Sequence, residues 1–224
     1  LTTGNSNVAV GKNALATNSS ASNNTAVGNN ALTANTTGNS IVAIGTNALA
    51  TNTTTSNLTA VGHEALKANT SGNSAVAFGY KALTANTTGD ANVGIGRDAL
   101  LANTTGSNNA SLGTNSLESN TTGSNNVAVG QNTLASNTTA SNNTGVGYFS
   151  LKLNTTGANN TAVGREALLS NTEGTLNVAV GSTTLDANTT GDKNTAVGQA
   201  SLGSNTTADN NTALGYAALG ANTT

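Results

Sequence analysis

The sequence predicts an all-β fold, a parallel β-solenoid or β-roll with 17 residues per coil and about 13 coils. Three observations predict it. A glycine returns every 17 residues without insertion or deletion, thirteen times from Gly11, Gly28 and Gly45 to Gly215. A leucine lies four residues after each glycine, from Leu15 to Leu219, and an asparagine seven residues after each, from Asn18 to Asn222. A short, mostly β-branched segment precedes each glycine, as in Thr25-Ala26-Val27, with Ala110 the exception to Val or Thr at its first position. A chain that repeats one unit throughout has nowhere to assemble a unique catalytic site, so the same pattern argues for a structural or binding role.

Each element follows from its residues. The consensus unit reads Asn-(Thr/Val)-Ala-Val-Gly-x-x-Ala-Leu-x-x-Asn-Thr-Thr-Gly-x-x. The residue before the glycine is always large and apolar, and the one before that always small. The resulting period-2 alternation predicts a strand ending at the glycine. A second short strand is expected over Ala-Leu-x-x. Helix is disfavoured there because the apolar stretch is two residues long and flanked by Thr, Asn and Gly. The glycine and the Asn-Thr-Thr-Gly segment supply turns. Stacking puts identical residues in ladders. A core ladder is expected from Val10, Leu15, Val27, Leu32, Ile44, Leu49, Val61, Leu66, Phe78 and Leu83. Turn glycines (Gly11, Gly28, Gly45) and an amide ladder of asparagines (Asn18, Asn35, Asn52) complete the coil. Thirteen coils at about 4.8 Å per strand make a rod of roughly 60 Å.

Composition narrows the partners. Charged residues are 7% and aromatics 2%, cysteine and proline are absent, and the net charge is -2. Such a chain has no basic stripe for a nucleic-acid backbone, no amphipathic basic helix for a membrane surface and no apolar run long enough to insert in a bilayer. Residues 1-224 read as a single repeat array cut in mid-repeat at both ends, an excerpt of a longer array or a subunit that stacks end to end. Per coil, two large aliphatic side chains are worth roughly 3–6 kcal/mol. Backbone ladders return about 1 kcal/mol per bond over about ten bonds. Ordering the coil costs on the order of 17 kcal/mol. The near-zero balance predicts a homo-oligomer, with the Val/Thr and Ala positions of the strand as its seam.

No catalytic, metal or cofactor set emerges. His63 is the only histidine, and with Glu64 alone it does not make a metal site or an oriented nucleophile. The position after the glycine varies most and carries a four-unit super-period: Thr46, His63, Tyr80, Arg97; Thr114, Gln131, Tyr148, Arg165; Ser182, Gln199, Tyr216. Duplication of a four-unit block accounts for it. The functional alternative is a row of exposed tyrosines, Tyr80, Tyr148 and Tyr216, spaced about 19 Å apart as a recognition edge. Twelve of the thirteen Asn-Thr-Thr-type turns also match the N-glycosylation pattern, which such a repeat cannot avoid.

Ser40-Ile41-Val42-Ala43-Ile44-Gly45-Thr46-Asn47-Ala48 and Ser6-Asn7-Val8-Ala9-Val10-Gly11-Lys12-Asn13-Ala14 resemble the head repeat of trimeric autotransporter adhesins, Asn-Ser-Val-Ala-Ile-Gly-x-x-Ala-x-Ala. Similar repeats occur in phage tail fibres. The likeness covers about nine residues of each unit. The family's usual unit is shorter, and the extra residues here enlarge the Asn-Thr-Thr-Gly turn. The resemblance implies a left-handed coil, a trimeric head and attachment to a host or cell-surface receptor. It carries over no functional residue, because the matching positions are structural. The expected function is therefore a rigid, adhesive repeat segment of an extracellular bacterial surface fibre or a virion fibre. A subunit of an end-to-end extracellular filament and an ice-binding solenoid are the alternatives.

Overall fold

The computed structural model describes residues 3–223 and is an all-β parallel β-solenoid, with no helix among those residues. The chain falls into two compact units, Leu1–Asn109 and Ala110–Thr224. The first holds β1 (Val8–Val10), β2 (Thr25–Val27), β3 (Val42–Ile44), β4 (Thr59–Val61), β5 (Val76–Phe78) and β6 (Val93–Ile95). The second holds β7 (Ala110–Leu112), β8 (Val127–Val129), β9 (Thr144–Val146), β10 (Thr161–Val163), β11 (Val178–Val180), β12 (Thr195–Val197) and β13 (Thr212–Leu214). Within each unit, consecutive strands pair in parallel with equivalent residues opposite one another, as in Ala26↔Ala43 and Ala162↔Ala179. The 17-residue period of the sequence is thus one turn of the solenoid.

Alternation within the three-residue strand decides what is inside. The central small residue points inward: Ala26, Ala43, Ala60 and Ala77 are fully buried. Its two neighbours therefore point outward. This corrects the expected core ladder. Leu32, Leu49, Leu66 and Leu83 are fully buried and Leu15 nearly so. By contrast Val10, Ile44 and Phe78 are exposed at 57%, 38% and 55%, and Val27 and Val61 are half-buried. Leucine and alanine fill the interior, and the residue before the glycine coats the outside. The seam expected at the Val/Thr and Ala positions changes in the same way, because the alanine side chains are inside.

The Ala-Leu-x-x segment is a turn, not a second strand. The leucine itself adopts left-handed backbone, with φ between 50° and 53° from Leu15 to Leu219. That conformation costs an ordinary L-residue roughly 1–2 kcal/mol. Complete burial of the side chain offsets it, and so does a backbone bond to the next coil, Leu32 N–H donating to the Ala48 carbonyl at 2.9 Å. Two further positions per coil have positive φ: the second residue after the glycine (Asn13, Asn30, Asn47) and the fifth before it (Asn23, Asn57, Asn142). Asparagine is frequent at both because it tolerates this region best among non-glycine residues. The opening glycine is required twice over. Gly28 has φ 136°, and a Cβ there would lie 2.6 Å from the Gly45 carbonyl oxygen.

Candidate interaction surfaces

Three polar ladders hold the coils in register and leave defined surfaces free. The asparagine seven residues after the glycine forms the expected amide ladder. Asn52 Nδ2 donates to Asn35 Oδ1 at 3.2 Å, and Asn154 Nδ2 to Asn137 Oδ1 at 2.9 Å. The second amide hydrogen closes the enlarged turn, as in Asn35 Nδ2 to the Gly38 carbonyl at 3.0 Å. Asn18 stands outside this ladder: its Oδ1 is buried with no hydrogen-bond partner.

A second asparagine ladder sits four residues before the glycine. Asn143 Oδ1 accepts from Asn160 backbone N–H at 2.9 Å, and Asn143 Nδ2 donates to the Gly157 carbonyl at 2.9 Å. It is interrupted where Ile41, Leu58 and Ala75, all buried, replace asparagine in three successive coils. A third ladder uses short polar residues six before the glycine, such as Ser22 N–H to Asn39 Oδ1 at 2.7 Å. Neither was assigned a role from sequence, although the recurrence of the second asparagine was visible in the consensus.

The outward face of the strands is the most uniform surface. Its two columns are the first residue of each strand, Val or Thr except for Ala110 in β7, and the large apolar residue that ends it. Val10, Phe78 and Leu112 are about half-exposed there. The seven Lys/Arg and nine Asp/Glu residues of the chain all fall at other positions of the repeat. Exposed sheets of monomeric proteins ordinarily carry charge to prevent association; this face carries none.

The row after the glycine is more varied. Tyr80 stacks on His63 of the preceding coil, ring centroids 5.4 Å apart, with Lys81 Nζ 5.3 Å from the Tyr80 centroid. Tyr148 instead stacks on its neighbour Phe149 at 3.9 Å, with Lys152 Nζ 4.2 Å from the Phe149 ring. Tyr216 is exposed. The tyrosines therefore have different surroundings and do not form equivalent docking points. The charged residues pair locally. Lys67 Nζ lies 2.8 Å from Glu64 Oε1, and Arg165 Nη1 lies 2.9 Å from Glu166 Oε2. The Lys67 hydrogen bond holds the Glu64 carboxyl below its usual range. Burial pushes the Asp186 carboxyl up, and Glu166 adds to the effect. His63 Nε2 is 3.9 Å from Glu64. Among the described residues no three His, Cys, Asp or Glu side chains cluster as metal ligands, and no helix is long and apolar enough to cross a membrane.

The enlarged turn divides its threonines. Thr36 Oγ1 donates to the Thr53 carbonyl at 3.0 Å, and Thr155 Oγ1 to the Thr172 carbonyl at 3.0 Å. The second threonine, as at Thr37, Thr54 and Thr88, is exposed. No family model matches the chain, and no curated protein matches its sequence.

Proposed function

We propose that the chain is a non-catalytic repeat segment of an extracellular fibre, on a bacterial surface or a virion, acting as a rigid rod or head in attachment. Copies associate side by side, as a trimer, through the outward face of the strands. One observation carries this reading: both outward columns are uncharged in every coil, and one is apolar throughout. Energetics supports it. With the outer valine column solvated, a lone coil buries one large aliphatic side chain instead of two, and the missing burial is what a partner supplies. Sedimentation equilibrium at low micromolar concentration tests it. The expected species is a homo-oligomer that Ile44→Lys combined with Phe78→Lys converts to monomer with an unchanged circular dichroism spectrum. A monomeric wild-type chain contradicts the proposal. Long fibres in place of a discrete oligomer favour the end-to-end filament.

The ice-binding reading retains one supporting feature, the exposed row of second threonines. First threonines such as Thr36 and Thr155 donate to the next coil, which leaves the second threonines as the main hydroxyl row facing water. Thermal hysteresis of the purified chain decides it.

A further inference from the structure

Most asparagines of the N-glycosylation pattern fall into two classes; Asn109 of Asn109-Ala110-Ser111 is buried at a third position, and Asn18 and Asn222 are half-buried. The first class is the amide ladder of the enlarged turn. Asn35, Asn52, Asn69, Asn86, Asn103, Asn120, Asn137, Asn154, Asn188 and Asn205 all match the pattern, and all are fully buried. Transfer of a sugar needs the side-chain Nδ2 as nucleophile, in the open, with a hydrogen to give up. Asn35 Nδ2 donates to the Gly38 carbonyl at 3.0 Å, and farther along the ladder both hydrogens are engaged. Asn154 Nδ2 donates to Asn137 Oδ1 at 2.9 Å and to the Gly157 carbonyl at 2.9 Å. Asn188 Nδ2 donates to Asn171 Oδ1 at 2.8 Å and to the Gly191 carbonyl at 3.0 Å.

The second class lies five residues before the glycine. Asn23-Asn24-Thr25, Asn57-Leu58-Thr59, Asn142-Asn143-Thr144, Asn159-Asn160-Thr161 and Asn210-Asn211-Thr212 all match the pattern. These first asparagines are exposed, on a left-handed turn residue with φ between 59° and 62°. Their backbone N–H groups anchor them to the preceding coil, as Asn23 N–H to the Asn5 carbonyl at 3.0 Å and Asn142 N–H to the Ser124 carbonyl at 3.0 Å. Their amide groups project free of the hydrogen-bond ladders that hold the other class.

We infer that Asn23, Asn57, Asn142, Asn159 and Asn210 are the sites at which the folded chain accepts an N-linked sugar, and that the ten fully buried asparagines of the enlarged turn are closed to it. In the step, Asn Nδ2 attacks C1 of a pyrophosphate-activated sugar. The N–C1 bond forms, the C1–O(phosphate) bond breaks, the diphosphate leaves with the electron pair, and the amide loses one proton. The inference rests on burial and hydrogen bonding alone and is independent of the fibre reading.

The test uses the folded full-length chain, a soluble N-glycosyltransferase and UDP-glucose, with sites mapped by mass spectrometry. Synthetic peptides covering residues 20–40 and 139–158 serve as unfolded acceptors. Asn35 and Asn154 are expected to react at least about a hundredfold more slowly in the folded chain than in the peptides, because they react only through local opening. Asn23, Asn57, Asn142, Asn159 and Asn210 are expected to be modified in the folded chain. Modification of Asn35 or Asn154 in the folded chain at the rate of Asn23 overturns the inference. So does a folded chain left unmodified at all five exposed asparagines, whatever the peptides do.

Discussion

Asn86→Ala tests whether the amide ladder holds the coils together. Asn86 is fully buried. Its Nδ2 donates to Asn69 Oδ1 at 3.1 Å and to the Gly89 carbonyl at 3.0 Å. Its Oδ1 accepts from Asn103 Nδ2 at 2.7 Å and from Asn92 Nδ2 at 3.4 Å. After truncation Asn103 and Asn92 each keep a bond to the Gly106 carbonyl. Asn69 Oδ1 and the Gly89 carbonyl lose the donor they share. Each buried acceptor left without its partner costs about 1–3 kcal/mol, so the substitution is expected to cost about 3–5 kcal/mol once the lost packing is included. Asn18→Ala is the internal control. That side chain is half-buried, makes one bond at 3.3 Å and already carries an unpartnered oxygen, so its loss is expected to cost about 1 kcal/mol or less. Repeat arrays depart from two-state unfolding, so native-state hydrogen exchange in β5 and β6 is the better assay, with urea unfolding beside it. An Asn86→Ala cost no larger than that of Asn18→Ala refutes the ladder argument.

Other substitutions probe the remaining parts of the coil. Gly28→Ala forces a side chain into φ 136° and against the Gly45 carbonyl, and is expected to cost at least about 2 kcal/mol in urea unfolding. Replacing Asn126, Asn143 and Asn160 together by Leu is expected to cost less than the sum of the three single changes, because the run Ile41, Leu58, Ala75 shows the column filled by apolar residues in adjacent coils. Burial raises the Asp186 pKa in the fold, so ionised Asp186 destabilises at neutral pH, and stability rises as pH falls through its folded value toward its unfolded one. Asp186→Asn is expected to raise the urea midpoint at pH 7 and to remove that acid-side gain. Glu64 behaves oppositely. Its depressed pKa gives a small stabilisation, present above its unfolded value and lost as pH falls through the folded value, which Lys67→Met is expected to reduce.

The period made the fold legible before any local reading, because an unbroken 17-residue recurrence of Gly, Leu and Asn admits only equivalent stacked coils. The asparagine and glycine positions followed from turn chemistry and amide stacking. What misled was the direction of the strand. A three-residue Val-Ala-Val segment fixes the alternation but not which phase is inside, and size alone favoured valine as core. The interior is narrow, so alanine occupies it and valine goes out. The left-handed leucine was also illegible, since propensity argues against Leu with positive φ and only burial in the stacked array supports it. The exposed asparagines at the fifth position before the glycine carried a signal that went unread: their enrichment in Asn marks a left-handed turn residue.

Electron cryomicroscopy of the purified chain bears most directly on the central claim, that the outward strand face joins copies of the chain. The expected result is a discrete assembly in which Val10, Ile44 and Phe78 of each copy are covered by neighbouring copies. Isolated single rods with that face bare, at concentrations where the chain is fully folded, contradict it.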